Sequence, residues 1–132
     1  MNAKLTPYIV STDARAQAEF YIQALGGEVQ SVMTHGQLPD AAEEIKDKVM
    51  HMVLSVAGGN VLFLSEAFGQ VGTDGSIAFG LTFSDLEATR QAYANLAEGG
   101  TQTYPLEMGP WGAHYGEVVD KYGINWKISQ EG

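Results

Sequence analysis

The chain has no cysteine among its 132 residues, which excludes disulfides, zinc-thiolate sites and cysteine nucleophiles. Cations are scarce: seven Lys and Arg stand against 16 Asp and Glu, giving a net charge of -9 and a pI near 4.5. Nucleic-acid affinity comes largely from Lys and Arg that neutralise phosphates, so this balance sets nucleic acid and anionic membrane surfaces aside as partners. No run of eighteen apolar residues occurs, and the opening MNAKLTPYIV lacks the apolar stretch of a signal peptide, so a soluble cytoplasmic protein is expected. The Gly-rich segments do not follow phosphate-loop spacing. Ser65-Glu66 and Ser11-Thr12-Asp13 have no histidine base at a recognisable spacing, which leaves a serine nucleophile without support.

What the chain has in excess is glycine, with 16 residues, several of them paired at turns (Gly26-Gly27, Gly58-Gly59, Gly99-Gly100). Such punctuation signals many short elements. A strand is expected from Leu5 to Ser11, with Pro7 confining it to an edge, a start or a bulge. A helix follows over Asp13 to Leu25, where Ala18, Tyr21, Ile22 and Leu25 share one face and Gly26 closes the end. Glu28 to Met33 reads as a strand. Thr34 to Lys48 is a polar excursion, read as a solvated loop with one helical turn at Ala41 to Ile45, or as a lid over a site. VMHMVLSV and NVLFLS flank Ala57-Gly58-Gly59 and predict a hairpin.

After the glycine-rich loop from Ala67 to Gly75 the pattern restarts. Ser76 to Phe83 is a strand, Ser84 and Glu87 form a capping box, and Leu86, Thr89, Tyr93, Leu96 and Ala97 mark a second helical stripe. Thr101 to Pro105 is a strand. The stretch GPWGAHYGEVVDKYGINWKI, from Gly109 to Ile128, is a hairpin that turns at Asp120 to Gly123, where Asp first and Gly fourth suit a type I turn. The order strand, helix, three strands therefore occurs twice. Laying VAGGNVLFLS over DKYGINWKIS pairs Gly59 with Gly123 and Ser65 with Ser129, and sets His51 opposite Tyr115 and Phe63 opposite Lys127. The fold class predicted is α+β: two βαβββ modules, about 1–68 and about 75–132, within one domain spanning 1–132, with curved mixed sheets around a cavity.

Several motifs resemble the PhnB-like branch of the vicinal oxygen chelate superfamily, which includes glyoxalase I, extradiol dioxygenases and bleomycin-resistance proteins. They are Pro7-Tyr8, Ala18-Glu19-Phe20-Tyr21, Gly26-Gly27-Glu28, Lys48 to His51, Leu96 to Gly100, and the set Trp111, Gly112, Tyr115, Gly116, Asp120, Tyr122, Gly123 and Trp126. Some members of that branch carry a methyltransferase label, but this chain shows no Gly-rich strand-to-helix turn to seat S-adenosylmethionine. Metal-dependent members take ligands from the first and last strand of each module. Here the resemblance puts Thr6, Phe63, Ala78 and Lys127 at those places, none of them a plausible ligand for a divalent ion. No metal or other cofactor is therefore expected. An alternative metal site would use His51, Glu66 and His114, two imidazoles and a carboxylate suited to zinc, iron or manganese. His51 otherwise reads as a hydrogen-bonded histidine on a half-buried strand, His114 as a loop residue and His35 as solvated.

The remaining signal is aromatic. Phe79 and Trp126 are read as core, whereas Tyr8, His51, Phe63, Ser65, Trp111 and Tyr115 are the expected contacts of a small, mostly apolar or planar ligand. The function expected first is metal-free small-molecule binding. A lyase, isomerase or dioxygenase working through His51 and Glu66 is the alternative, and a structural or accessory role is the third. The family resemblance implies a homodimer.

Overall fold

The two stretches with helical periodicity form α1 (Ala14–Leu25) and α2 (Leu86–Ala97) in a computed structural model that describes residues 2–69, 72, 76–109 and 112–131. The strands are β1 (Tyr8–Ser11), β2 (Gly27–Thr34), β3 (Val49–Val56), β4 (Asn60–Glu66), β5 (Ala78–Phe83), β6 (Thr101–Met108), β7 (His114–Val119) and β8 (Asn125–Gln130). The chain divides into two compact units, Met1–Val71 and Gly72–Gly132. Each holds one helix and one four-stranded sheet, ordered β1-β4-β3-β2 in the first and β5-β8-β7-β6 in the second. The pairs β1/β4 and β5/β8 are parallel and the others antiparallel, so both sheets are mixed and the predicted α+β repeat is present. Among the described residues no helix is long and apolar enough to cross a membrane.

Local chemistry sets the element ends. The Asp13 carboxylate accepts from the Ala16 N–H (3.1 Å) and starts α1, and the Asp85 carboxylate accepts from the Ala88 N–H (3.0 Å) and starts α2. The expected Ser84–Glu87 box is thus replaced by a cap one residue later, because the Asp85 oxygen already reaches the first free amides. Gly26 leaves α1 with φ 76° and ψ 150°, a positive-φ conformation that favours glycine but differs in ψ from the expected αL cap, and feeds the chain directly into β2. A Cβ on Gly27 would lie 1.9 Å from the Ser55 carbonyl oxygen, and one on Gly100 would lie 2.2 Å from that of Val119. Glycine is therefore what lets each chain leave its helix and close against the neighbouring strand.

The Thr34 to Lys48 excursion is more ordered than a solvated loop. It contains two short 3-10 turns, His35–Gln37 and Glu43–Ile45, and is tied across its base by His35 N–H to the Lys48 carbonyl (3.1 Å) and Gly36 N–H to the Lys46 carbonyl (2.8 Å). His35 is half-buried, its ring 5.4 Å from that of Phe68, so it is not simply solvated.

Each helix covers one face of its own sheet. From α1, Ala14, Gln17, Ala18, Tyr21 and Ala24 are buried, together with Ile9, Val49, Met52, Leu54, Val56, Leu62 and Leu64 from the strands. The buried stripe is rotated from the expected one, since Ile22 and Leu25 are only half-buried. Gln17 is 2% exposed and stays compatible with the core because its side-chain amide donates to the Tyr21 hydroxyl (2.9 Å). In the second unit Thr89, Ala92, Tyr93 and Leu96 of α2 are buried, as are Val118, Trp126 and Ile128. Trp126 is buried, the core role read for it from sequence, and meets edge-on at 5.3 Å the ring of Phe79, which is only half-buried.

The turn that opens the final hairpin is organised by one buried carboxylate. Asp120 is 3% exposed; its Oδ1 accepts from the Tyr122 (2.8 Å) and Ile124 (3.1 Å) amides, and its Oδ2 from Trp126 Nε1 (2.8 Å). Removing that acceptor strands buried donors, each costing about 1–3 kcal/mol. Asp120→Ala should therefore lower unfolding free energy by about 3 kcal/mol or more in urea titrations. A loss below about 1 kcal/mol would show the turn to be held by other means.

Candidate functional site

Successive residues of a strand point to opposite faces, so a sheet whose one face is under a helix presents every second residue on the other. In the first unit Met52, Leu54 and Val56 of β3 and Leu62 and Leu64 of β4 go to the helix. Their neighbours His51, Val53, Ser55, Val61, Phe63 and Ser65 are half-buried on the open face. The register brings Tyr8 of β1 beside Phe63 and Val10 beside Ser65. Three rings from three strands thus meet: His51 and Phe63 at 4.8 Å, Tyr8 and His51 at 5.7 Å, and Tyr8 and Phe63 at 6.1 Å. The Tyr8 hydroxyl lies 3.4 Å from His51 Nδ1, a long hydrogen bond. Tyr8 remains 52% exposed, so this aromatic patch is open to a ligand.

Of the residues read from sequence as ligand contacts, Tyr8, His51, Phe63 and Ser65 therefore share one face. Glu66 does not join them. It follows Ser65 by one residue and turns to the helix side, where its Oε1 accepts from the Val49 N–H (2.7 Å) and its Oε2 from the Ala14 N–H (3.0 Å). The strand alternation separates the expected His51–Glu66 pair, and both carboxylate oxygens are used to fasten the first turn of α1 to the start of β3. Trp111 lies outside the described residues. His114 and Tyr115 belong to the second unit, and His114 is the first residue of β7 rather than a loop residue. Its Nδ1 is buried without a hydrogen-bond partner among the described residues.

The open face of the second sheet has a different chemistry. Tyr115 pairs with Ser129, Glu117 with Lys127 and Gly80 with Lys127, all facing away from α2. The Tyr115 hydroxyl donates to Glu117 Oε2 (2.6 Å), and Lys127 Nζ donates to the Tyr115 hydroxyl and to Glu117 Oε2 (3.2 Å each). The ring of Tyr104 packs edge-on against Tyr115 at 6.0 Å, and the Thr82 and Ser129 hydroxyls are bonded at 3.1 Å. Burial, then the bond to Glu117, push the Tyr115 phenol above its ordinary pKa. The Tyr115 hydrogen bond holds the Glu117 carboxyl below its usual range, and the bonds to Tyr115 and Glu117 raise the Lys127 ammonium. At neutral pH the set is a protonated phenol, a carboxylate and an ammonium. Glu117 was not singled out from sequence, although the turn at Asp120 to Gly123 implies the register that sets it opposite Lys127.

The same register bears on the metal that the superfamily pattern implies. Tyr8, not Thr6, lies beside Phe63, and Gly80, not Ala78, lies beside Lys127. Among the described residues no three His, Asp or Glu side chains are grouped to hold an ion, and Lys127 adds a cation at one of the ligand places. These residues do not fit a divalent metal.

Two results follow from these contacts. Glu66→Gln should destabilise the fold by about 1–3 kcal/mol in denaturant titrations, because a side-chain amide nitrogen would face a backbone N–H. Since Glu117 titrates lower in the folded state than in the unfolded one, its contribution is present above the ordinary carboxylate range and is lost as pH falls through its lowered folded value. Glu117 and Lys127 side chains are 33% and 51% exposed, so screening limits this to about 1 kcal/mol or less. A stability-versus-pH comparison of the native chain with Glu117→Gln should show that acid-side difference; superimposable profiles would contradict it.

Comparison with known proteins places this geometry. A family model described as 3-demethylubiquinone-9 3-methyltransferase matches residues 3–129. A crystal structure of a Pseudomonas aeruginosa protein is similar at 29% identity and TM-score 0.83, with 98% of each chain covered. A PhnB protein from Bacillus cereus shares the fold at 18% identity and TM-score 0.81, covering 98% of this chain and all of that one. A bleomycin-binding protein solved with bleomycin shares it at 23% identity and TM-score 0.59, covering 99% of this chain and all of that one. The fold recurs in solved structures of the glyoxalase/bleomycin resistance/dioxygenase superfamily.

Proposed function

The chain belongs to the 3-demethylubiquinone-9 3-methyltransferase family, and on that premise we propose that it is a metal-independent, small-molecule-binding protein of the PhnB-like branch. The observation that carries this reading is the cluster of Tyr8, His51 and Phe63 rings on the open face of the first sheet. Rings held on three paired strands offer a rigid apolar surface with little ordering cost on binding, and His51 and Ser65 supply polar groups to orient a guest. The ligand class is a small, planar or largely apolar compound. That a protein of the same fold binds bleomycin supports small-molecule binding as a use of this scaffold. Tyr115, which belongs to the second unit, is proposed separately as a ligand contact on that unit's own open face.

Methyl transfer, the activity in the family description, finds less support. The strand-to-helix links are Thr12-Asp13 and Ser84-Asp85, and neither contains a glycine that would admit a cofactor against backbone amides. A second reading, an enzyme with His51 as base, rests on the contact between the Tyr8 hydroxyl and His51 Nδ1, where an Nδ1–H that donates to the Tyr8 oxygen would orient the imidazole and leave Nε2 free to take a proton. The proposal includes a homodimer, supported by exposed Val29, Val32 and Met33 on β2 and Tyr104 and Met108 on β6.

The test is a thermal-shift screen of planar aromatic compounds and S-adenosylmethionine, followed by calorimetric titration and sedimentation of the same samples. A planar ligand that binds the native chain should bind Phe63→Ala about tenfold more weakly or worse, as expected for loss of a ring contact of about 1–3 kcal/mol. Unchanged affinity in Phe63→Ala, or stoichiometric metal lost in His51→Ala, would overturn the reading.

A further inference from the structure

Equivalent positions of the two modules carry opposite chemistry, and the contrast points to a second site. Phe63 sits between Tyr8 and Val53 in its sheet; Lys127 sits in the same position between Gly80 and Glu117. Gly80 is the unusual partner. It lies inside β5 in unbroken register, from Ala78 opposite Asn125 to Phe83 opposite Gln130, so it marks no bulge. A Cβ at Gly80 would meet nothing within 4 Å, and its φ lies outside the left-handed region, so neither close packing nor backbone conformation requires glycine there. Glycine inside a strand is destabilising relative to alanine. Such a residue also marks places where a ligand or another backbone approaches closely.

The notch left by Gly80 opens beside a charged donor. Lys127 has three N–H groups, and the described contacts use two, to Tyr115 and Glu117. Two residues further along the same strands, roughly 7 Å away, the bonded Thr82 and Ser129 hydroxyls continue the polar lining. In such a pair one hydroxyl donates to the other, which keeps a proton to offer. Glu117, 3.2 Å from Lys127 Nζ, limits the charge the site accepts: it offsets the ammonium and would repel a dianion.

We propose that Lys127, Gly80 and the Thr82–Ser129 hydroxyl pair form a binding site for the carboxylate of a small monocarboxylic acid, with Tyr115 and Glu117 holding the lysine in place. The site stands on the second unit alone and is independent of the aromatic patch. Its ammonium keeps its charge well into the alkaline range, so carboxylate binding persists across neutral pH and is lost on the alkaline side as Lys127 deprotonates and on the acid side as the ligand's carboxyl protonates.

The test is amide NMR titration of the full chain with acetate, pyruvate and benzoate, with phenyl phosphate and benzyl alcohol as controls. At least one monocarboxylate should shift the Gly80, Lys127 and Ser129 amides and bind better than phenyl phosphate. Its affinity should fall tenfold or more in Lys127→Met, which keeps the side-chain length without the charge, and in Gly80→Val, which fills the notch with a good strand former. Benzyl alcohol binding should be unaffected by Lys127→Met. The proposal is overturned if no monocarboxylate shifts these amides, if Lys127→Met binds as the native chain does, or if phenyl phosphate is preferred. Altered oligomeric state in Gly80→Val with carboxylate affinity retained would assign the notch to contact between copies and would overturn it equally.

Discussion

Everything in this fold depends on covering one face of each four-stranded sheet with a single helix of 12 residues. The pleat sends alternate residues to the two faces, so the demand for an apolar helix side leaves the other side free of it. The first helix meets that demand with small residues. Ala14, Ala18 and Ala24 bring its backbone near the sheet, while Tyr21 supplies the bulk, and burying a large side chain of this kind contributes about 1.5–3 kcal/mol. The glycines at 27 and 100 belong to the same constraint, because each helix must hand its chain to an edge strand within one to three residues.

Two carboxylates show how easily structural and chemical roles are confused. Glu66 and Asp120 both stand near aromatic and histidine-bearing segments, and either could be taken for a ligand or a base. Each instead accepts from backbone amides, Glu66 across three elements and Asp120 within a tight turn and onto an indole. A carboxylate whose two oxygens are both held by N–H donors gains its stability from those bonds, and recruiting it to other chemistry would forfeit them.

On the open faces the repeat diverges. Position for position, His51, Val53, Phe63 and Ser65 of one module correspond to Tyr115, Glu117, Lys127 and Ser129 of the other. One set is three parts apolar or aromatic; the other links a phenol, a carboxylate and an ammonium in one hydrogen-bonded group. Since neither face contributes to its helix-side core, substitutions there change the chemistry the face presents with little effect on the fold.

The amino-acid sequence by itself determined the order of elements and the doubling of the module, because helical and strand periodicities, glycine pairs and the Asp120 to Gly123 turn are local signals. It also set His51, Val53 and Ser55 on one side of their strand, since that follows from alternation once the strand is known. What only the tertiary structure decided is register and competition for hydrogen bonds. Thr6 against Tyr8 beside Phe63, Ser84 against Asp85 at the start of α2, and the removal of Glu66 from His51 each turn on a shift of one or two residues. Such shifts cost nothing in composition or periodicity. They are settled by which amide a carboxylate reaches and which strand lies alongside, and those are facts of three-dimensional packing.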